Sequence, residues 1–104
     1  MKGKYSSDEL SKFFGALANP YRLKIIAILS IERQYVSELA RNLEISRPLL
    51  YLHLQKLEEV NLVKHSTEIS ETGKALKFYE LNSFQINLNE RLIYNVMLNE
   101  LNDI

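Results

Sequence analysis

Apolar residues recur at helical spacing over most of the chain, and after about residue 61 they alternate as they do in strands. A first helix is predicted from the capping-box pattern S-x-x-E at residues 6–9 to about Ala18. Asn19 and Pro20 then suit the N-cap and the first position of a second helix, which runs to about Ile31. Apolar residues cover most of the circumference of that helix, so we expect it to be the buried central helix.

Two short amphipathic segments joined by a tight turn follow, over about residues 36–60. Tyr35-Val36 suits a brief strand, and Ser37 is suited to cap the first segment. The second segment has Ser46 as its predicted N-cap and Pro48 in its first turn, where the missing N–H of proline costs nothing. Two helices connected in this way form a helix-turn-helix, whose second helix fits the major groove of DNA. The sequence therefore predicts a DNA-binding protein.

The spacing of the apolar residues changes from 3.6 to 2 after this motif. Residues 61–65 and 75–81 suit paired strands, which predicts a β-hairpin over about residues 62–82. A last amphipathic helix begins at the N-x-x-E pattern of Asn87 and extends over about 88–102. Because the preceding elements already form a complete small domain, its apolar face most simply packs against a second copy of the chain.

Composition narrows the class of protein. At 104 residues the chain has room for one domain, spanning 1–104. It has neither a membrane-length apolar run nor a signal core at its N-terminus, so we expect a cytoplasmic protein without membrane attachment. Cysteine is absent, which excludes disulfides and thiolate metal ligands. The chain also lacks a phosphate-binding Gly-rich loop and a catalytic spacing of His with carboxylates, so we expect neither an enzyme nor a bound cofactor.

Charge alone does not favour DNA binding, because 13 Lys and Arg balance 13 Asp and Glu. Affinity must come from where the charges lie. Arg47 suits guanine, Gln55 suits adenine, and Leu49 or Leu52 suits a thymine methyl group, while serine hydroxyls at helix N-termini suit phosphates. The residues predicted to contact DNA are Ser37, Ser46, Arg47, Pro48, Tyr51, Leu52, Gln55, Lys56, Lys64, Lys74 and Lys77.

Three stretches resemble, in their spacing, the ArsR-type winged helix-turn-helix regulators: L-A-N-P-Y-R-L-K-I-I-A-I-L (17–29), the helix-turn-helix itself, and T-G-K-A-L-K-F-Y-E-L (72–81). The resemblance covers roughly residues 13–82. It implies a mainly α fold with a small β-hairpin as the wing (α+β), flanked by N- and C-terminal dimerisation helices. It also implies a homodimer on double-stranded DNA that usually represses transcription until an effector binds. The residues implied in dimerisation are Leu10, Phe13, Phe14, Leu88, Leu92, Ile93, Val96, Met97 and Leu101.

Two departures from the family pattern keep other functions open. Metal-sensing members use cysteines, or His with Asp and Glu on C-terminal helices, and this chain has neither set, so we do not expect metal sensing. Leu49 and Leu52 stand where the family commonly has small polar residues or His. These two leucines, together with the zero net charge of the chain, favour the alternative of a winged-helix module that binds another protein instead of DNA. A third alternative is a small-molecule sensor at the apolar dimer junction near Phe13, Phe14 and the last helix.

Overall fold

The computed structural model describes residues 5–101 as a helical protein with a small antiparallel sheet, which confirms the predicted α+β class. The elements are α1 (Ser7–Leu17), α2 (Pro20–Leu29), β1 (Gln34–Tyr35), α3 (Val36–Leu43), α4 (Arg47–Glu59), β2 (Val63–Ile69), β3 (Ala75–Leu81) and α5 (Glu90–Met97), followed by a 3₁₀ turn at Leu98–Glu100. Within residues 5–101 there is no helix with the length and apolar character needed to cross a membrane.

Side-chain caps start α1, α2 and α4 where the sequence predicts. The Ser6 hydroxyl accepts from the Glu9 N–H at 3.0 Å, and the Glu9 carboxylate accepts from the Ser6 N–H at 2.8 Å. Asn19 accepts from two backbone N–H groups of α2, and Ser46 accepts from one in the first turn of α4. Each such cap satisfies a helix N–H that would otherwise lack a partner, which is worth about 1 kcal/mol.

The predicted N-cap of α3 is wrong. Ser37 lies in the first turn of α3 and does not cap it, because the helix begins one residue earlier, at Val36. The Glu38 carboxylate accepts from the Tyr35 N–H at 2.9 Å and so satisfies the last residue before the helix. The strand predicted at Tyr35-Val36 lies one residue earlier, at Gln34–Tyr35, since Val36 packs into the core.

The predicted burial of α2 and the predicted extent of α5 are also wrong. Only Ile25 and Leu29 of α2 are buried, while Leu23 is 52% exposed, because one side of α2 packs on the neighbouring elements and the other faces outward. The last helix is shorter than 88–102. Its N-cap is Asn89, whose side chain accepts from the Leu92 N–H at 2.9 Å, so this asparagine starts the helix and Asn87 does not.

The sheet places the hairpin beside the helix-turn-helix. β3 is the central strand and pairs antiparallel with both β1 and β2. In the hairpin, Val63 lies opposite Leu81 and Ile69 lies opposite Ala75. The predicted strands are therefore confirmed, with β2 extending further towards the hairpin tip than predicted.

The core lies where α2, α3, α4 and the base of the sheet meet. Leu50, Leu54 and Leu57 form a leucine stripe on one face of α4 that has no accessible surface, and the apolar face of α3 packs on it. Burial of a leucine side chain contributes roughly 1.5–3 kcal/mol, so this stripe fixes which face of α4 is turned inward. The fully inaccessible residues of this group are Ile25, Leu39, Leu50, Leu54 and Leu57.

Candidate nucleic-acid interface

The outward face of α4 is set by the burial of its opposite face. With the leucine stripe inside, the predicted DNA-contacting residues of this helix all lie on the surface, and Leu52 is 60% exposed. The N-terminal end of the helix, from Ser46 to Pro48, is exposed as well. The exposed set is Ser46, Arg47, Pro48, Tyr51, Leu52, Gln55 and Lys56.

The wing meets this face through Lys77 and two tyrosines. The Lys77 ammonium group lies 5.1 Å from the centre of the Tyr51 ring and 5.6 Å from that of Tyr79. Burial raises the pKa of the Tyr79 hydroxyl, and the neighbouring Lys77 charge opposes that rise. The tyrosine on α4 and the lysine on β3 therefore form one contact between the helix and the wing.

An open depression of about 330 Å³ lies between the start of α3, the start of α4 and β3. Its polar lining includes Ser37, Arg47, Lys74 and Lys77, with Tyr51 at its side. Three of these side chains are cationic, and the lining contains no carboxylate. The fold thus brings together five of the predicted contacts, from α3, α4 and the hairpin, in a place suited to an anionic group.

Lys56 and Lys64 lie outside this depression. Lys64 pairs with Glu80 of the neighbouring strand at 3.4 Å, which offsets its charge. Lys56 instead lines a cleft on the other side of α4, with Arg22 and Glu59. These two predicted contacts therefore do not join the cationic group at the start of α4.

A contact that the sequence did not reveal joins the wing to Arg33, the residue just before β1. The Arg33 guanidinium donates to both carboxylate oxygens of Glu68, at 2.5 and 3.2 Å, and lies 3.9 Å from the centre of the Phe78 ring. Tyr35 packs on the same ring, with 4.2 Å between the two centroids. A carboxylate that would repel DNA is thereby paired with a cation of its own chain.

A second contact that the sequence did not reveal reaches α4 from α2. Arg22 Nη1 lies 3.1 Å from His53 Nδ1, and its Nε donates to the Ala16 carbonyl at 2.6 Å. His53 is 9% exposed and stacks on the Tyr21 ring. Burial, and then the Arg22 charge, lower the pKa of His53. The ring is therefore neutral near pH 7.

The residues implied in dimerisation lie on α1, on α5 and in the segments before and after α5. The Ser7 hydroxyl donates to the Glu100 carboxylate, and Phe13 contacts Phe84 with 5.8 Å between ring centroids, so the two ends of the described chain pack together. Leu10 is only 5% exposed, because α1 turns it inward, and it offers no free surface. The exposed members are Leu88, Ile93 and Leu101, and the half-buried ones are Phe13, Phe14, Leu92, Val96 and Met97. Three further apolar residues beside them are exposed and were not predicted from the sequence: Phe84, Tyr94 and Leu98.

A helix-turn-helix followed by an antiparallel hairpin that packs beside its second helix defines a winged helix-turn-helix protein. Residues 19–65 match the family described as bacterial regulatory protein, arsR family. The chain is 37% identical over 92 residues to MJ0229 of Methanocaldococcus jannaschii, described as an uncharacterized HTH-type transcriptional regulator, and the match covers 88% of this chain and 96% of that protein. The chain belongs to the ArsR family of winged helix-turn-helix transcriptional regulators.

Solved structures agree with this assignment. HlyU from Vibrio cholerae matches with a TM-score of 0.65 and 28% identity, over 96% of this chain and 98% of that one. NolR from Sinorhizobium fredii matches with a TM-score of 0.62 and 34% identity, over 74% and 72%. The homodimeric winged helix-turn-helix DNA-binding domain of Mb0332 from Mycobacterium bovis has a TM-score of 0.63 at 22% identity, over 96% and 87%, a likeness of fold.

Proposed function

We propose that this regulator is a homodimer that binds a specific DNA sequence with α4 in the major groove and represses transcription there. The observation that carries the proposal is the exposed ridge of Arg47, Tyr51 and Gln55 beside a cationic depression that has no carboxylate in its lining. A helix presented in this way can enter the major groove while the flanking cations meet the phosphates on either side.

Side chains of the first turns of α4 would recognise the bases. Arg47 lies at the helix N-terminus, and its planar guanidinium can donate two hydrogen bonds to O6 and N7 of guanine. The Gln55 amide can pair with adenine, and the 60% exposed Leu52 can contact a thymine methyl group. Each bidentate contact contributes about 1–3 kcal/mol of discrimination against the wrong base.

The residues that line the depression would contact phosphates of the DNA backbone. Ser37 on α3 offers a hydroxyl, and Lys74 and Lys77 on the wing offer positive charge from the opposite side. Because each protomer brings only a few cations to the phosphates, affinity should depend on salt only moderately.

The proposed dimer uses the apolar surface of α1 and α5. Ile93, Tyr94 and Leu98 expose large apolar side chains on the last helix and the turn after it, and Leu88 does so just before it. Such a cluster suits an interface between copies, and Mb0332, of the same fold, is a homodimer. Two copies of α4 would then meet successive major grooves about 34 Å apart and require a palindromic site. Repression, and release by an effector that is not a metal, follow the family resemblance.

Selection of bound fragments from genomic DNA at about 50 mM salt tests this function. We expect a palindromic site to emerge, and Arg47→Ala to weaken its binding by about 1–3 kcal/mol. Arg91→Ala removes the same charge from α5, outside the motif and wing, and should bind as the original chain does. Failure of the purified dimer to retain any fragment would refute DNA binding.

One observation favours a second function. Leu49 and Leu52 are both exposed on α4, and an apolar pair there also suits a surface that binds another protein. If α4 binds protein instead of DNA, the selection should retain no specific fragment with either the original chain or Arg47→Ala, whereas Leu52→Ser would release the protein partner.

A further inference from the structure

Arg22 connects the end of α1 to the inward side of α4. Its Nε donates to the Ala16 carbonyl at 2.6 Å, and its Nη2 lies 3.4 Å from the Gly15 carbonyl. Both carbonyls belong to the last turn of α1, where a cation satisfies acceptors and offsets the helix dipole. The remaining arm reaches His53 Nδ1 at 3.1 Å, in the middle of α4. One guanidinium therefore links α1 and α4, two helices that are far apart in the sequence.

This contact requires a neutral histidine. A guanidinium has only donors and stays protonated, so Nδ1 of His53 must act as the acceptor and the ring proton must lie on Nε2. The ring is held in place, since it is 9% exposed and its centroid lies 5.5 Å from that of the Tyr21 ring, at an interplanar angle of 28°. A protonated ring would present an N–H and a positive charge to Arg22, and the hydrogen bond would be lost.

We propose that Arg22 is a positioning residue for DNA recognition, which fixes the orientation of α4 relative to α1 through neutral His53. The inference rests on the proposed function, in which α1 carries part of the dimer surface and α4 contacts the bases. In a two-fold assembly each copy of α4 must meet its half-site at a set angle to the dimer interface. An error in that angle therefore affects both half-sites, although Arg22 and His53 themselves need not touch DNA.

The surroundings of His53 make the link sensitive to pH. Tyr21 covers one face of the ring, and Arg22 is the cation that bonds to it. Protonation is therefore opposed by Arg22, and below the pKa of His53 the helix would lose its tie to α1. The charged or titratable groups beside the ring are Arg22 and Tyr21 from α2 and Lys56 and Glu59 from α4 itself. Lys12 of α1 lines a neighbouring cleft with Arg22, and His53 does not line that cleft.

Three variants separate positioning from a merely structural role. His53→Asn places an amide oxygen close to where Nδ1 stands and does not titrate. His53→Leu removes the acceptor and keeps apolar bulk, leaving the contacts of Arg22 with α1 intact. His65→Gln removes the other histidine of the chain, which lies on the wing, and serves as the control for the pH series.

Affinity for the selected site is measured at fixed salt at about pH 7.5 and at a pH below the pKa of His53, as found by NMR titration of its ring. We expect His53→Leu to bind about tenfold more weakly at the higher pH, as loss of a hydrogen bond to a charged group implies. His53→Asn should bind within about twofold of the original chain there, on the same argument. Between the two pH values the original chain and His65→Gln should lose affinity, and His53→Asn should lose less.

The outcomes are separable. No binding by the original chain at the higher pH would overturn the proposed function itself. Binding by the original chain together with unchanged affinity of a folded His53→Leu would overturn only the positioning role. If His53→Leu does not fold, the pH series of His65→Gln decides: constant affinity down through the pKa of His53, measured by NMR titration of its ring, contradicts the inference.

Discussion

The ammonium group of Lys77 lies 5.1 Å from the centre of the Tyr51 ring, and this contact joins the second wing strand to the outward face of α4. A cation over an aromatic face contributes about 0.5–1 kcal/mol at an exposed site. Lys77 therefore has two tasks in the proposed complex. It holds Tyr51 against the wing, and it supplies positive charge to the depression beside Arg47.

Lys77→Met removes the charge and keeps most of the side-chain length. We expect affinity for the selected site to fall about tenfold, and the slope of log affinity against log salt to decrease by about 1, because one phosphate contact is lost. Lys64→Met is the matched control, since Lys64 already pairs with Glu80 and lies outside the depression. A lower affinity with an unchanged salt slope would show that Lys77 acts through Tyr51 alone.

Ile93→Asp places a charge in the apolar surface of α5. Ile93 is exposed in the single chain, so the variant should fold, and we expect it to elute as a monomer with strongly weakened DNA binding. Asn95→Asp adds the same charge at an exposed position two residues further along the helix and should remain dimeric. Sedimentation of both variants checks this. A dimeric Ile93→Asp would place the interface elsewhere.

Glu44 ends α3 with a left-handed backbone, at φ 56° and ψ 43°. A residue with a Cβ is strained there, so Glu44→Gly should raise the free energy of unfolding by about 0.5–1 kcal/mol, even after the entropy that glycine gains in the unfolded chain. Arg41→Gly, within the same helix, should lower it by about 0.5–1 kcal/mol. Denaturant unfolding of the two variants distinguishes relief of strain from a general effect of glycine, which would lower both.

Stability should also depend on His53. Its pKa is lowered in the folded chain by burial and by Arg22, whereas the unfolded value is 6.5. As the pH falls through that value the unfolded chain binds the proton first, so the free energy of unfolding decreases until the folded pKa is passed. His53→Asn should show a shallower decrease between neutral pH and about pH 5 in thermal unfolding. Equal slopes would mean that the burial of His53 has no energetic consequence.

Features that depend only on residues close together in the sequence, such as helix caps and helix faces, could be predicted. Ser6, Asn19 and Ser46 cap their helices by bonding to N–H groups two or three residues away, and the leucines of α4 share a face because of helical periodicity alone. Where two nearby residues suit the same N-cap position, the sequence alone does not show which of them is used. Asn87 and Asn89 both suit a cap, and the structure uses the second.

The contacts between distant parts of the chain could not be predicted. Arg33 and Glu68 are 35 positions apart, and Arg22 and His53 are 31 apart, so no periodic pattern links them. The exposure of Leu23 depends on which side of α2 its neighbours cover. The candidate site shows the same division: the face of α4 was predictable, whereas the convergence of Ser37, Lys74 and Lys77 on its first turn required the fold.

Hydroxyl-radical footprinting of the purified protein on its selected site tests most directly the claim that α4 is presented twice to one duplex. We predict two symmetric protected segments whose centres are about one helical turn apart, with weaker protection at both in Arg47→Ala. A single protected segment, or protection that Arg47→Ala leaves unchanged, would contradict it.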